Sequence, residues 1–212
     1  MNEHFVINIG RQVGSGGKAI GEIIAKRLGI QLYDKELIDM AARECGFATE
    51  LFERADEQPR RGLFGGLTGM IRNTFVGDFH TENPISEEAL FKVQSDVIRR
   101  LSERESCIFV GRCADYILRD NPRCVNIFLT ADREDRIRRI TQRKGCTPSE
   151  VEAMLDRTDD RQRARYYNYY TTQTWGEART YDLCINSSRL GDEATADLII
   201  DFATRKLNLT NR

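Results

Sequence analysis

The run Gly10-Arg11-Gln12-Val13-Gly14-Ser15-Gly16-Gly17-Lys18-Ala19 holds four glycines within eight residues and is followed by a lysine. Glycines let backbone N–H groups approach phosphate oxygens closely, and a helix that starts there adds partial positive charge. The chemistry implied is phosphate binding, with Gly14, Ser15, Gly16, Gly17, Lys18 and Ala19 as the cradle. The match to G-x-x-x-x-G-K-[ST] is imperfect. With Gly17-Lys18 as the G-K pair, Gln12 stands at the first glycine and Ala19 at the hydroxyl position. With Gly14-Ser15-Gly16 setting the register, Gly17 stands at the lysine position and Lys18 at the hydroxyl position. Either way, the hydroxyl that would meet a metal is missing or displaced. Lys18 is the natural donor to β and γ phosphates, because a cation in a first helical turn opposes the helix dipole unless an anion accompanies it. Ser15 either contributes its hydroxyl or favours the turn.

Three further groups carry chemistry. Asp34 follows a short apolar run, where a carboxylate could hold magnesium through water or take a proton from an acceptor hydroxyl; it is also a preferred helix N-cap, and the two roles are compatible. Arg112 ends another apolar run, and a guanidinium can clamp a phosphate with two parallel hydrogen bonds. Arg157, Arg161 and Arg165 recur at i, i+4 and i+8, on one drifting helical face that leaves Arg163 pointing elsewhere. Arginines on a closing lid place positive charge against a transferring phosphoryl group. On its own such a run reads as a solvated helix laced by Asp156, Asp159 and Asp160; beside a phosphate loop it reads as a lid. Tyr166, Tyr167, Tyr169 and Tyr170 suit packing against a neighbouring element or a second copy of the chain, as in a homo-oligomer.

These groups need a scaffold that brings strand ends together. Phe5 to Ile9 reads as a strand, and Ile20, Ile23, Ile24 and Leu28 recur at helical spacing after the glycines, with Gly29 as C-cap. Further strands are expected at Ile30 to Tyr33, Cys107 to Val110, Val125 to Leu129 and Leu183 to Ile185. Helices are expected from Leu37 to Cys45, from Ser86 (an N-cap) through Leu101, after Asp132 as cap, from the capping box Thr147-Pro148-Ser149-Glu150, and from Asp192 to Leu207. Strands that are apolar throughout and alternate with helices predict an α/β fold with a five-stranded parallel sheet between helical layers. Gln58 to Ser86 mixes glycines with bulky apolar side chains and reads as a mobile flap.

The 212 residues carry 32 Lys plus Arg against 33 Asp plus Glu, a formal charge of -1. One globular domain of this length buries roughly 70% of its unfolded surface and needs no disulfide or structural metal. Near-zero charge argues against a nucleic-acid partner. No apolar run reaches the roughly 18 residues of a membrane span, and the N-terminus lacks the regions of a signal peptide, so no membrane partner is expected and the cytoplasm is the expected compartment. The six scattered cysteines and two histidines do not form a zinc pattern.

Four stretches resemble the cytidylate kinase-like family of P-loop kinases: GSGGKAIGEIIAKRLGIQLYDKELI, CIFVGRCADYIL, NIFLTADREDRIRRI and the lid-like DRTDDRQRAR. The resemblance runs over nearly the whole chain and is weakest at 58–86. It implies a three-layer P-loop kinase fold over residues 1–212, a mobile acceptor-side insertion at 58–86 and an arginine-rich helical lid at 147–170. It also implies ATP with Mg2+ as cofactors and a nucleoside monophosphate such as CMP as acceptor. In the G-R-D block of cytidylate kinases the arginine meets the acceptor, which the resemblance carries to Arg112, although Cys113 replaces the acidic residue. Two functions follow: an ATP-dependent phosphotransferase using Lys18, Asp34, Arg112 and the lid arginines, or a nucleotide-binding sensor or scaffold without turnover. Lid arginines favour the enzyme, since a static binder gains little from charge aimed at a transition state.

Overall fold

The computed structural model describes residues 4–35, 37–38 and 87–209. The expected flap at 58–86 and most of the expected helix from Leu37 to Cys45 lie outside them. The strands are β1 (Val6–Arg11), β2 (Gln31–Tyr33), β3 (Cys107–Val110), β4 (Cys124–Thr130) and β5 (Leu183–Asn186). The helices are α1 (Gly17–Leu28), α2 (Glu87–Arg104), α3 (Ala114–Ile117), α4 (Arg133–Lys144), α5 (Pro148–Leu155), α6 (Ala164–Thr171) and α7 (Gly191–Leu207). A π-helical stretch, Asp156–Arg163, joins α5 to α6. All strand pairs are parallel, in the order β2-β3-β1-β4-β5.

The order explains why the strands read as apolar runs: β1, β3 and β4 are covered on both faces. Ile7, Ile9, Ile108, Val110, Val125, Ile127 and Leu129 face one layer with Ile20 and Ile24 of α1 and Ala196 and Ile199 of α7. Alternate residues Val6, Cys107, Phe109 and Cys124 face the other layer with Val97 and Ile98 of α2, Ala114 and Ile117 of α3 and Tyr167 of α6. Each large aliphatic side chain buried this way contributes roughly 1.5–3 kcal/mol relative to exposure. Asn8 is also buried, and its Nδ2 donates to Oδ1 of its register partner Asn126 at 2.8 Å, while its own Oδ1 is buried without a hydrogen-bond partner.

The tyrosines of α6 pack against a neighbouring element. Tyr170 stacks on Phe91 of α2 at 4.2 Å between centroids, with Tyr166 at its edge, Tyr167 in the core and Tyr169 exposed. The capping box forms as read: Thr147 Oγ1 accepts from the Glu150 N–H, and Glu150 Oε2 accepts from the Thr147 N–H at 2.8 Å. Asp132 stands at the cap position of α4, but its carboxylate does not serve the first turn. It accepts from Asn186 Nδ2 at 2.8 Å and pairs with Arg189, binding α4 to the loop after β5. Among the described residues no helix is long and apolar enough to cross a membrane.

Candidate functional site

In this strand order the ends of β2, β3 and β1 are neighbours, each carrying one candidate group. Asp34 follows β2, Arg112 follows β3 and the glycine loop follows β1. Strands lie about 4.8 Å apart, so the three groups fall within the span of a small phosphorylated ligand.

Ser15 sits between two glycines in the left-handed region, Gly14 at φ 82° and Gly16 at φ 84°, and α1 starts at Gly17. A side chain at either glycine would be strained. Ser15 is fully buried, and its hydroxyl donates to the Gln12 carbonyl at 2.9 Å, so the hydroxyl serves the turn. Three side chains from distant elements hold loop carbonyls from outside. Arg163 Nη1 donates to the Arg11 carbonyl at 2.9 Å, Arg136 Nε of α4 to the Val13 carbonyl at 2.8 Å, and Ser187 Oγ to the Ser15 carbonyl at 2.8 Å. In a trans peptide the carbonyl and the next N–H point in opposite directions. Fixing the Val13 and Ser15 carbonyls against α4 and the end of β5 therefore turns the Gly14 and Gly16 N–H groups to the other side, the orientation a phosphate cradle needs.

Lys18 and Asp34 are brought together at 2.8 Å, with the lysine half-exposed and the carboxylate 13% exposed. Asp34 Oδ1 also accepts from the Leu37 N–H at 3.1 Å, so capping and pairing coexist. Magnesium fits this arrangement poorly. A P-loop holds the ion through a Ser or Thr hydroxyl. Here Lys18 and Ala19 occupy the second and third helical positions, Ser15 is turned inward, and both Asp34 oxygens are engaged. Among the described residues no three His, Cys, Asp or Glu side chains converge as a cation site.

At the end of β3, Gly111, Arg112 and Cys113 all have positive φ, at 79°, 62° and 57°. Two consecutive non-glycine residues in that region store strain, which surrounding contacts must hold. The Arg112 guanidinium lies over the Tyr166 ring at 4.9 Å, and its Nε is buried without a hydrogen-bond partner. A buried donor left unsatisfied is uncommon in folded proteins and calls for a specific explanation. Asp115, three residues on, accepts from Tyr167 Oη at 2.6 Å, and Tyr167 Oη lies 3.1 Å from Gln173 Oε1.

Burial raises the Asp115 carboxyl above the ordinary carboxylate range, against the lowering effect of the Tyr167 hydroxyl and backbone N–H groups. Burial beside Asp115 also pushes the Cys113 thiol up to about 12 and raises the Tyr167 and Tyr181 hydroxyls. The folded state thus keeps a proton on Asp115 at pH values where the unfolded chain has lost it. Stability from this group is full below the ordinary carboxylate pKa and is lost as pH rises through the folded value. Asp115→Asn is expected to flatten that slope; urea midpoints measured from about pH 4 to 8 check it, and parallel curves for the two proteins would contradict it.

The segment expected to form a lid departs from the expected geometry. The spacing of Arg157, Arg161 and Arg165 assumes 3.6 residues per turn, but Asp156–Arg163 winds as a π-helix with i→i+5 bonds, which rotates the following side chains. Arg163, expected to point elsewhere, is the arginine that reaches the glycine loop. Arg157 and Arg165 are exposed, and the Arg161 side chain lies outside the described residues. Asp156 pairs with Arg133 of α4 at 2.9 Å, tying the π-helical stretch to that helix. Arg139 of α4 pairs with Asp192 of α7 at 2.7 Å beside Gly16. The sequence reading missed Arg11, Arg136, Arg139, Arg163 and Ser187. Arg136 and Arg139 had a signal: a basic helix after β4 lies next to the β1 loop whenever β1 and β4 pair.

The profile of the cytidylate kinase-like family matches residues 6–189. A cytidylate kinase of Halobacterium salinarum is 28% identical over 143 residues, covering 66% of this chain and 71% of that protein. A cytidylate kinase of Archaeoglobus fulgidus is 24% identical over 198 residues, 92% of each chain. Among solved structures, a protein of Eubacterium ventriosum superposes with a TM-score of 0.72 at 28% identity, covering 96% of this chain and 99% of that one. A shikimate kinase of Bacteroides thetaiotaomicron shares the fold at a TM-score of 0.51 and 15% identity, covering 97% and 99%.

Proposed function

The chain belongs to the cytidylate kinase-like family, and from that membership we propose that it transfers the terminal phosphoryl group of ATP to a nucleoside monophosphate such as CMP, or to a related small phosphate acceptor. The observation that carries this reading is the convergence of three adjacent strand ends: a glycine loop with its carbonyls held outward, the Lys18–Asp34 pair, and Arg112 with an unsatisfied buried Nε. The loop amides and Lys18 would hold the ATP phosphates, and Arg112 the acceptor phosphate. Asp34 would orient Lys18 toward those phosphates or take a proton from the acceptor, and Arg157, Arg161 and Arg165 would close over the transfer from the 147–170 lid, with 58–86 as the acceptor-side insertion. Catalysis of this kind is positioning plus charge neutralisation. The loop offers magnesium no hydroxyl and Asp34 could reach it only through water, so neutralising the phosphates falls mainly to Lys18 and the arginines.

The test is ADP release and CDP formation from ATP with CMP, followed by a panel of other monophosphates. The missing hydroxyl supports a second reading, a nucleotide sensor without turnover. Stabilisation by ATP with no transfer to any acceptor would favour that reading.

A further inference from the structure

Arg11 is the one residue of the glycine run whose side chain crosses from the donor loop to the acceptor strand. A Cβ built on Gly17 would lie 2.9 Å from Arg11 Cγ and 3.1 Å from its Cβ, so the stem of Arg11 occupies the space over the first residue of α1. A Cβ built on Gly111 would lie 2.8 Å from Arg11 Cζ and fall against Nη1, so the guanidinium rests on the residue before Arg112. Two glycines thus give Arg11 a path from the end of β1, across the helix start, to the end of β3.

The path has a counterpart in the loop sequence. In the register set by Gly14-Ser15-Gly16, Arg11 stands at the first glycine of the phosphate-loop pattern and Gly17 at its lysine. Glycine and cation have exchanged places, and the side chain missing at Gly17 is replaced in space by the stem of Arg11. A guanidinium so placed has the planar fork suited to a phosphoryl group's oxygens. The backbone of the same residue receives Arg163 from the lid, so lid docking and the Arg11 position are set together.

Resting on the function proposed above, we propose that Arg11 is a catalytic residue: its guanidinium supplies the charge that the loop's lysine position lacks and contacts the phosphoryl group in transit between ATP and the acceptor held by Arg112. In that step the bond from the terminal phosphorus to the bridging oxygen of ADP breaks and a bond to an acceptor oxygen forms. Arg11 exchanges no atom and stays protonated throughout.

The experiment measures ADP release from ATP, with CMP or with water as acceptor, alongside the ATP-induced rise in melting temperature, in wild type, Arg11→Gly, Arg11→Gln and the exchange variant Arg11→Gly/Gly17→Lys. Loss of a charge aimed at the transition state is expected to lower kcat of Arg11→Gly and Arg11→Gln by about a hundredfold or more while leaving most of the ATP-induced shift. The exchange variant, which returns a cation to the lysine position, is expected to recover at least about tenfold over Arg11→Gly, a rescue that a purely packing role for Arg11 would not give. If Arg11→Gly does not fold, Arg11→Gln, which keeps a long stem without the charge, decides the matter. A wild-type kcat in Arg11→Gln, or a folded exchange variant no faster than Arg11→Gly, overturns the proposal and leaves the kinase reading standing. A wild-type protein unmoved by ATP overturns both.

Discussion

The Lys18→Met variant is expected to lose most of the thermal stabilisation that ATP gives the wild-type chain. Saturation at 100 times the dissociation constant stabilises a native state by about 2.7 kcal/mol. In a domain of this size each kcal/mol moves Tm by roughly 2–4 °C, so the wild-type rise should be about 5–10 °C. Methionine keeps the stem and removes the charge. It also takes from Asp34 the ammonium now 2.8 Å away, weakening the charge balance of a carboxylate near the incoming phosphates. Both effects act against a polyanion, so the shift should fall to about a degree or less. Differential scanning fluorimetry with ATP, with magnesium and then with EDTA, makes the measurement. With no loop hydroxyl for the metal, the wild-type shift should depend only weakly on magnesium. A full shift in Lys18→Met would remove that residue from the donor site.

Arg112→Ala is expected to weaken the acceptor far more than ATP. A charge-assisted pair of hydrogen bonds to a phosphate contributes about 1.5–3 kcal/mol, which corresponds to a rise in acceptor KM of roughly 10- to 100-fold. The KM for ATP should change by less than about threefold, because the donor cradle is built on β1 and α1 and Arg112 follows β3. Arg112→Lys keeps the charge without the planar fork and should fall between. Steady-state kinetics against each substrate in turn decides it: an equal loss for both, or no loss, would show that the buried Nε faces something other than the acceptor.

How much of this was legible in the chain depended on how local the signal was. The five strands, the helix after the glycines, the capping box at Thr147 and the Gly29 cap all rest on residues within a few positions of one another, and each was read correctly. Asp34 and Arg112 were singled out because they sit next to strand ends, and Lys18 because it follows the glycine run in a first helical turn. The clamp around the loop was not legible, since Arg136, Arg163 and Ser187 lie 123, 152 and 172 residues from the carbonyls they hold. The sequence reading placed Gly17 at the lysine position but missed Arg11 at the first glycine, whose meaning comes from the path of its side chain. The π-helical stretch had no signal: eight polar residues, DRTDDRQR, carry too little apolar periodicity to show the winding of the backbone. A face drawn at ordinary helical spacing therefore put Arg163 on the wrong side.

The outward clamp on the loop carbonyls also governs when, during synthesis, a working cradle can exist. The glycines emerge first, but their carbonyl partners belong to α4, the π-helical stretch and the residue after β5, and the last of these, Ser187, follows the carbonyl it holds by 172 residues. A nascent chain holding β1, α1 and even β3 would have the glycines without the groups that turn their amides inward. On the proposed function, a nucleotide that binds only a finished site would not brace a half-made chain of this protein, and would act as a folding ligand only once β5 has closed the sheet. The long loops that must close first, with their entropy lost before any contact rewards them, make assembly of the phosphate cradle a late event in folding.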